Sequence, residues 1–185
     1  MDVVKDGFSC ALTIVLMVMT MAIPVVATPT EYDVKAAFLY NFAKFVEWPP
    51  DTFKEPTAPL TVCVLGDDPF GEALEKEFSG KTVQDRPIVF EPLDHHAPAA
   101  CQVLFVSASE RKRVDAILQD LQGPPILTVS DIHRFVKHGG MIGFTLEDDR
   151  VRFEVNLAAA EQAGLKISSQ LLKLAKNVTG KPRGT

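Results

Sequence analysis

The chain has 185 residues, of which 46% are hydrophobic, and its net charge is −5 at neutral pH. This length suits one globular domain that can bury a core of its own. The acidic balance argues against nucleic acid as the main partner, because phosphate binding requires a basic face.

Residues 1–27 differ in composition from the rest of the chain. Lys5 precedes an apolar run from Phe8 to Ala27, which contains Pro24 and ends in Val-Val-Ala. This pattern is typical of a secretory signal peptide that is cleaved after Ala27. An uncleaved membrane anchor is the alternative, since about 20 apolar residues can span a bilayer. In both cases the remainder of the chain is predicted to be exported.

The segment that follows predicts a long, largely apolar helix. Thr30 and Asp33 have the spacing of a capping box, and Pro49 and Pro50 require the helix to end by Trp48. Because most of its circumference is apolar, we expect a core helix. An interaction helix in a dimer is the alternative.

Strands and helices then alternate along the chain. Apolar runs predict strands at 60–65, 88–90, 103–106 and 126–129, with helices after the first, third and fourth of them. Segments 141–145 and 151–155 flank Leu-Glu-Asp-Asp-Arg and predict a hairpin, and two capped helices follow. The sequence therefore predicts a single three-layer α/β domain over residues 28–178, with a flexible tail at 179–185. Its mixed sheet is parallel in the first half and has an antiparallel hairpin near the C-terminus.

Two acidic residues follow the first strand in the stretch Val-Cys-Val-Leu-Gly-Asp-Asp-Pro-Phe-Gly. Asp68 stands where a helix N-cap belongs and Pro69 at the first helical position, so a turn and a cap account for the stretch. The alternative is a ligand cleft at Asp67 and Asp68, because ligands often bind at the carboxyl ends of strands.

Cys63 and Cys101 are the two cysteines outside the leader. Exported cysteines meet an oxidising compartment, so these two most simply form a disulfide. A nucleophilic Cys63 is the alternative, but a reactive thiol requires a nearby base and partial exposure, whereas Cys63 stands in an apolar strand.

Catalytic and metal-binding patterns are not evident in the sequence. His95 and His96 are adjacent, and His133 and His138 are five positions apart with a Gly-Gly pair after His138. Neither pair has the spacing of a zinc site. The chain carries neither a P-loop nor a Gly-x-Ser-x-Gly nucleophile elbow. We therefore expect a protein that is not an enzyme and that has no cofactor and no metal.

Three apolar residues occur in segments predicted to be links or short helices. Leu165 and Ile167 lie in Ala-Gly-Leu-Lys-Ile-Ser-Ser, and Phe135 lies on a short helix before Gly139. If exposed, they would mark a contact surface for a protein partner. The alternative is that Leu165 and Ile167 turn into the core.

Two blocks of sequence resemble the YfiR family of exported bacterial proteins. They are YDVKAAFLYNFAKFVEWP near the start and GGMIGF with RVRFEVNLAAAEQAGLKISSQLLKLA near the end. The resemblance implies a periplasmic, homodimeric repressor of a membrane-bound diguanylate cyclase, or a partner of another sensor protein such as a histidine kinase. It also implies a disulfide between Cys63 and Cys101. A periplasmic small-molecule-binding module is the alternative function.

Overall fold

The computed structural model describes residues 28–93 and 101–180. The predicted leader, His95 and His96, and residues 181–185 lie outside this range. Within it the elements are α1 Glu31–Phe45, β1 Val46–Glu47, β2 Leu60–Leu65, α2 Ala73–Phe78, β3 Thr82–Val83, β4 Arg86–Leu93, β5 Val103–Val106, α3 Val114–Asp120, β6 Leu127–Ser130, β7 Ile142–Glu147, β8 Arg150–Asn156, α4 Leu157–Gln162, β9 Lys166–Ile167, α5 Ser169–Leu174 and β10 Asn177–Thr179.

Eight of these strands form one mixed sheet in the order β10-β8-β7-β6-β5-β2-β4-β3. Strands β4, β2, β5, β6 and β7 run parallel to one another, whereas β3 pairs with β4 in the antiparallel sense and β7 and β8 form an antiparallel hairpin. At the hairpin tip Asp148 and Asp149 both have positive φ, as a tight two-residue turn requires. The predicted α/β class, the parallel first half and the late hairpin are confirmed.

The central strands are buried on both faces, which explains their continuous apolar sequence. Along β2, Val62 and Val64 face a core shared with α1, α2, α4 and α5. Cys63 and Leu65 face a second core, shared with α3 and with the short 3-10 helix that contains Phe135. The sheet therefore separates two helical layers, which confirms the predicted three-layer arrangement.

Three helices begin at the capping residues that the sequence indicated. Thr30 and Asp33 form the capping box of α1. Asn156 and Ser168 accept hydrogen bonds from backbone N–H groups in the first turns of α4 and α5. These caps satisfy backbone donors that have no partner within their helices.

The helix predicted to begin at Pro69 was placed wrongly. Asp68 Oδ1 accepts a hydrogen bond from the Phe70 N–H at 2.8 Å, which closes a local turn, and α2 begins only at Ala73. Asp68 therefore shapes a loop instead of capping a helix.

The last helix is shorter than the sequence predicted, since its apolar face was expected to reach Val178. α5 ends at Leu174, and Val178 lies in β10, which pairs with β8 in parallel. β10 also extends to Thr179, one residue into the predicted tail.

Candidate functional site

Asp67 and Asp68 lie at the carboxyl end of β2, where the order of the sheet reverses. β4 pairs with one edge of β2 and β5 with the other, so the loops after β2 and β5 flank a topological switch point. In α/β proteins such a point is the usual place for a ligand crevice. Both aspartates are exposed, as a ligand site there would require.

The two loops at this switch point are in direct contact. The Asp67 N–H donates to Ser109 Oγ at 3.0 Å. Gly66 has φ +91°, and a Cβ at this position would lie 2.4 Å from Ser109 Oγ and 2.9 Å from Glu110 Cγ. Protein atoms thus occupy the space directly between the ends of β2 and β5. Neither Asp67 nor Asp68 lines the cavities of about 530 Å³ and 850 Å³ that lie elsewhere in the described chain.

Acidic residues do not gather into a metal centre in the part of the chain that the structure describes. There, no group of three or more His, Cys, Asp or Glu side chains is arranged to hold a metal ion. His138 Nδ1 lies 2.7 Å from Asp115 Oδ1, which is a pair and not a cluster.

A buried ion pair fastens α1 to the end of β6. Lys35 Nζ lies 2.6 Å from Asp131 Oδ2 and 2.6 Å from Glu31 Oε1, although the Lys35 side chain is only 4% exposed. The Tyr32 hydroxyl donates to the same Asp131 oxygen at 2.9 Å, and the Lys35 ammonium lies 4.2 Å from the Tyr32 ring centroid. The Tyr32 ring in turn contacts Phe70, edge to face, in the loop after β2. These contacts fix the first turn of α1 over the carboxyl edge of the sheet.

The environment shifts the pKa values of two members of this cluster upward. Burial raises the pKa of Tyr32, and its hydrogen bond to Asp131 raises it further. Burial alone would lower the pKa of Lys35, but the hydrogen bonds to Asp131 and Glu31 outweigh it, so this pKa also lies above its ordinary value. Lys35 is therefore a charged, doubly paired group, which suits a structural role better than that of a base or nucleophile.

Sequence reasoning missed this cluster, although one signal was present. Asp33, Asn41 and Lys44 form a polar stripe along α1, whereas Lys35 lies outside this stripe, among apolar residues. A charged residue on an apolar helix face requires a buried partner. The identity of that partner, 96 residues further on, was not evident from local pattern.

The three residues predicted to form an exposed partner-binding patch are buried. Phe135 and Leu165 are each 1% exposed and Ile167 is 9% exposed. Leu165 and Ile167 enter the core because β9 pairs with β1, with Ile167 opposite Val46. Phe135 packs in the second core, and its ring fills the space that a Cβ at Gly140 would occupy. These residues are therefore not exposed, and Leu165 and Ile167 turn into the core, as the alternative predicted.

Cys63 and Cys101 form a disulfide in the structure, with their Cα atoms 5.9 Å apart. Both residues lie in the second core and are at most 5% exposed. A buried, oxidised Cys63 offers no thiolate, so this geometry provides no support for a cysteine nucleophile.

An open groove lies between α1 and the β7–β8 hairpin. It has a volume of about 530 Å³, and its apolar lining includes Val34, Phe38, Leu146 and Val151. Leu146 and Val151 are opposite each other in the hairpin and continue the apolar face on which Phe144 and Phe153 pack against α1. We call this site the α1–hairpin groove.

The rim of the α1–hairpin groove carries charges of both signs. Glu31 and Asp149 supply carboxylates, and Arg150 and Arg152 supply guanidinium groups. Leu146 is 56% exposed, and it is one of two large apolar side chains, with Leu174, that are strongly exposed in the described chain. An apolar centre within a charged rim is the usual anatomy of a protein–protein contact.

The chain also matches a known protein family over most of its length. A profile of the family described as YfiR/HmsC-like matches residues 32–176, which include α2 to α5, all but the first residue of α1, and every strand except β10. The family is a regulatory one and is not a known enzyme family. Among the described residues, no helix combines the length and the apolar character needed to cross a membrane. Since the match covers most of the sequence, this chain belongs to the YfiR/HmsC-like family.

Proposed function

We propose that this protein is a periplasmic regulator that binds the periplasmic sensing domain of a membrane-bound diguanylate cyclase and holds the cyclase inactive. Release of the cyclase would then raise cyclic di-GMP and promote biofilm formation. The family match over residues 32–176 carries this proposal. The predicted leader at residues 1–27 and the Cys63–Cys101 disulfide support export to an oxidising compartment.

The α1–hairpin groove is the contact surface that best fits this role. Phe135, Leu165 and Ile167 are buried, so the partner must engage other residues. Leu146 offers exposed apolar area in the groove, and the charged rim offers groups that can set the register of the partner. The contact acts by binding alone in this proposal, with no catalytic step, cofactor or metal. The regulator itself is proposed to be a homodimer.

Crosslinking in living cells tests the proposed partner. A photoreactive amino acid at position 146 should capture a membrane protein that mass spectrometry identifies as having a cyclase domain. The same amino acid at position 174, on the other strongly exposed leucine, serves as the control, because Leu174 does not line the groove. Failure to capture such a protein from position 146, or equal capture from position 174, would contradict the proposed surface.

A further inference from the structure

A second cavity, of about 850 Å³, lies between α3 and α4, away from the α1–hairpin groove. This volume is that of a small-ligand site, and the cavity is partly open to solvent. The two cavities share no lining residue, although both involve the β7–β8 hairpin. Met141, just before β7, and Asn156, at the end of β8, line the α3–α4 cavity, whereas the groove lies at the hairpin tip.

Each helical wall of this cavity is one face of a helix. On α3 the lining residues Asp115, Leu118 and Gln119 lie three or four positions apart on one side of the helix, and Gln122 lies in the turn that follows the helix. Gln119 and Gln122 are exposed, so their carboxamides are not committed to the core. The α3 wall therefore presents hydrogen-bonding groups beside the aliphatic surface of Leu118.

The facing wall, on α4, combines small side chains with one carboxamide. Ala158, Ala159 and Ala163 line the cavity together with Gln162. Gly180 packs against Ala158, whereas Ala159 and Ala163 leave room for a ligand close to the helix. Gln162, which is exposed, adds a donor and an acceptor.

The base of the cavity adds further polar groups. Thr128 Oγ1 accepts from the Met141 N–H at 3.1 Å, and Asn156 Oδ1 accepts from the Ala159 N–H at 3.2 Å. These bonds orient the two side chains, of which Thr128 is only 2% exposed whereas Asn156 is partly exposed. The base therefore offers the carboxamide of Asn156, whose direction is fixed by the fold.

Charge limits the class of ligand that this cavity can take. The lining includes neither lysine nor arginine, and its one histidine, His138, is paired with Asp115 at 2.7 Å. An anionic ligand would lose its hydration without gaining a free cationic partner. The carboxamides offer hydrogen bonds to uncharged groups, and the aliphatic side chains offer apolar contact.

We propose that the α3–α4 cavity binds a neutral, polyhydroxylated small molecule such as a mono- or disaccharide. Pairs of donors and acceptors on Gln119, Gln122 and Gln162 match neighbouring hydroxyl groups, while Leu118 and Met141 cover the carbon face of the ring. This proposal does not depend on the identity of the protein partner, because it concerns the isolated domain.

Titration calorimetry of the disulfide-bonded protein without residues 1–27 tests the site. Glucose, N-acetylglucosamine and maltose are the probes, and glucose 6-phosphate is the matched anion. At least one neutral probe should bind, and glucose 6-phosphate should bind about tenfold or more weakly than glucose, because its phosphate would be desolvated without a cation. Binding of none of the three, or phosphate binding as tight as glucose, would overturn the proposal.

Variants at exposed positions locate the binding. The double variant Gln119→Leu/Gln162→Leu replaces two carboxamides by apolar side chains of similar size. It should abolish the heat of binding for the sugar that binds the parent protein. Gln170→Leu, an exposed position on α5 outside the cavity, should bind like the parent protein. Equal affinity in the cavity variant and the parent would reject this location. A melting temperature equal to that of the parent protein shows that the double variant is folded. If the double variant does not fold, the single variant Gln122→Leu provides the same test.

Discussion

Lys35 on α1 and Asp131 after β6 form an ion pair whose Nζ and Oδ2 atoms lie 2.6 Å apart. The Asp131 side chain is 14% exposed, and its Oδ1 atom is buried without a hydrogen-bond partner among the described residues. The carboxylate therefore depends on Lys35 and Tyr32 to offset its loss of hydration. Loss of either partner would therefore leave the Asp131 carboxylate poorly compensated.

Replacement of Lys35 by methionine should reduce the free energy of unfolding by about 3–5 kcal/mol, because it leaves a buried carboxylate without its cation. Urea denaturation measures the loss. The double variant Lys35→Met/Asp131→Asn should be less destabilised than the sum of its single variants, since it leaves no uncompensated charge. Strict additivity would contradict a direct interaction between the two side chains.

Alkaline pH should weaken the same contact. The pKa values of Tyr32 and Lys35 are raised in the folded state above their ordinary values of 10.0 and 10.5. The stability that they contribute is thus complete below these values and is lost as the pH rises through the raised values. Unfolding free energies measured across this range should fall less steeply in Tyr32→Phe than in the parent protein. Identical slopes would show that Tyr32 does not contribute.

The Cys63–Cys101 disulfide closes a loop with a sequence separation of 38 residues. In the chain-entropy model such a loop stabilises the fold by about 4 kcal/mol. The double variant Cys63→Ala/Cys101→Ala should lose an amount of this order in chemical denaturation. Thiol titration of the unfolded, unreduced protein without its leader should detect no free thiol. Two titratable thiols in protein purified from an oxidising compartment would contradict the pairing.

Leu165→Asp should destabilise the fold strongly, by about 3 kcal/mol or more, because it places a carboxylate in the core. Leu165 is 1% exposed, whereas Leu174, on the neighbouring α5, is 65% exposed. Thermal denaturation should show a large drop in melting temperature for Leu165→Asp and almost none for Leu174→Asp. A normal melting temperature for Leu165→Asp would contradict the burial of Leu165 and would support the exposed contact surface considered from the sequence.

The layered fold was predictable because its longer elements carry strong local signals. β2 and β5 are continuous apolar runs, and the turn at Asp148–Asp149 lies between two alternating segments. The elements that sequence reasoning missed are short. β1 and β9 have two residues each, and β10 has three, so none of them displays a period. Their pairing is decided by tertiary contacts.

The same limit explains the error in the predicted contact surface. Leu165 and Ile167 occur in a segment that looks like a link, and only the pairing of β9 with β1 turns them inward. Leu146 was part of the predicted hairpin tip, but its exposure depends on how much of the hairpin α1 covers. Local sequence does not contain that information.

The central claim is repression through the α1–hairpin groove, and cellular cyclic di-GMP tests it most directly. In a strain that lacks the gene, the nucleotide level should be high and should return to normal when the parent protein or Leu174→Asp is supplied. Leu146→Asp should fail to restore it while keeping a normal melting temperature, because an exposed substitution changes stability by only about 0.5 kcal/mol. Full restoration by Leu146→Asp would contradict the groove as the contact surface, and an unchanged nucleotide level on gene deletion would contradict repression itself.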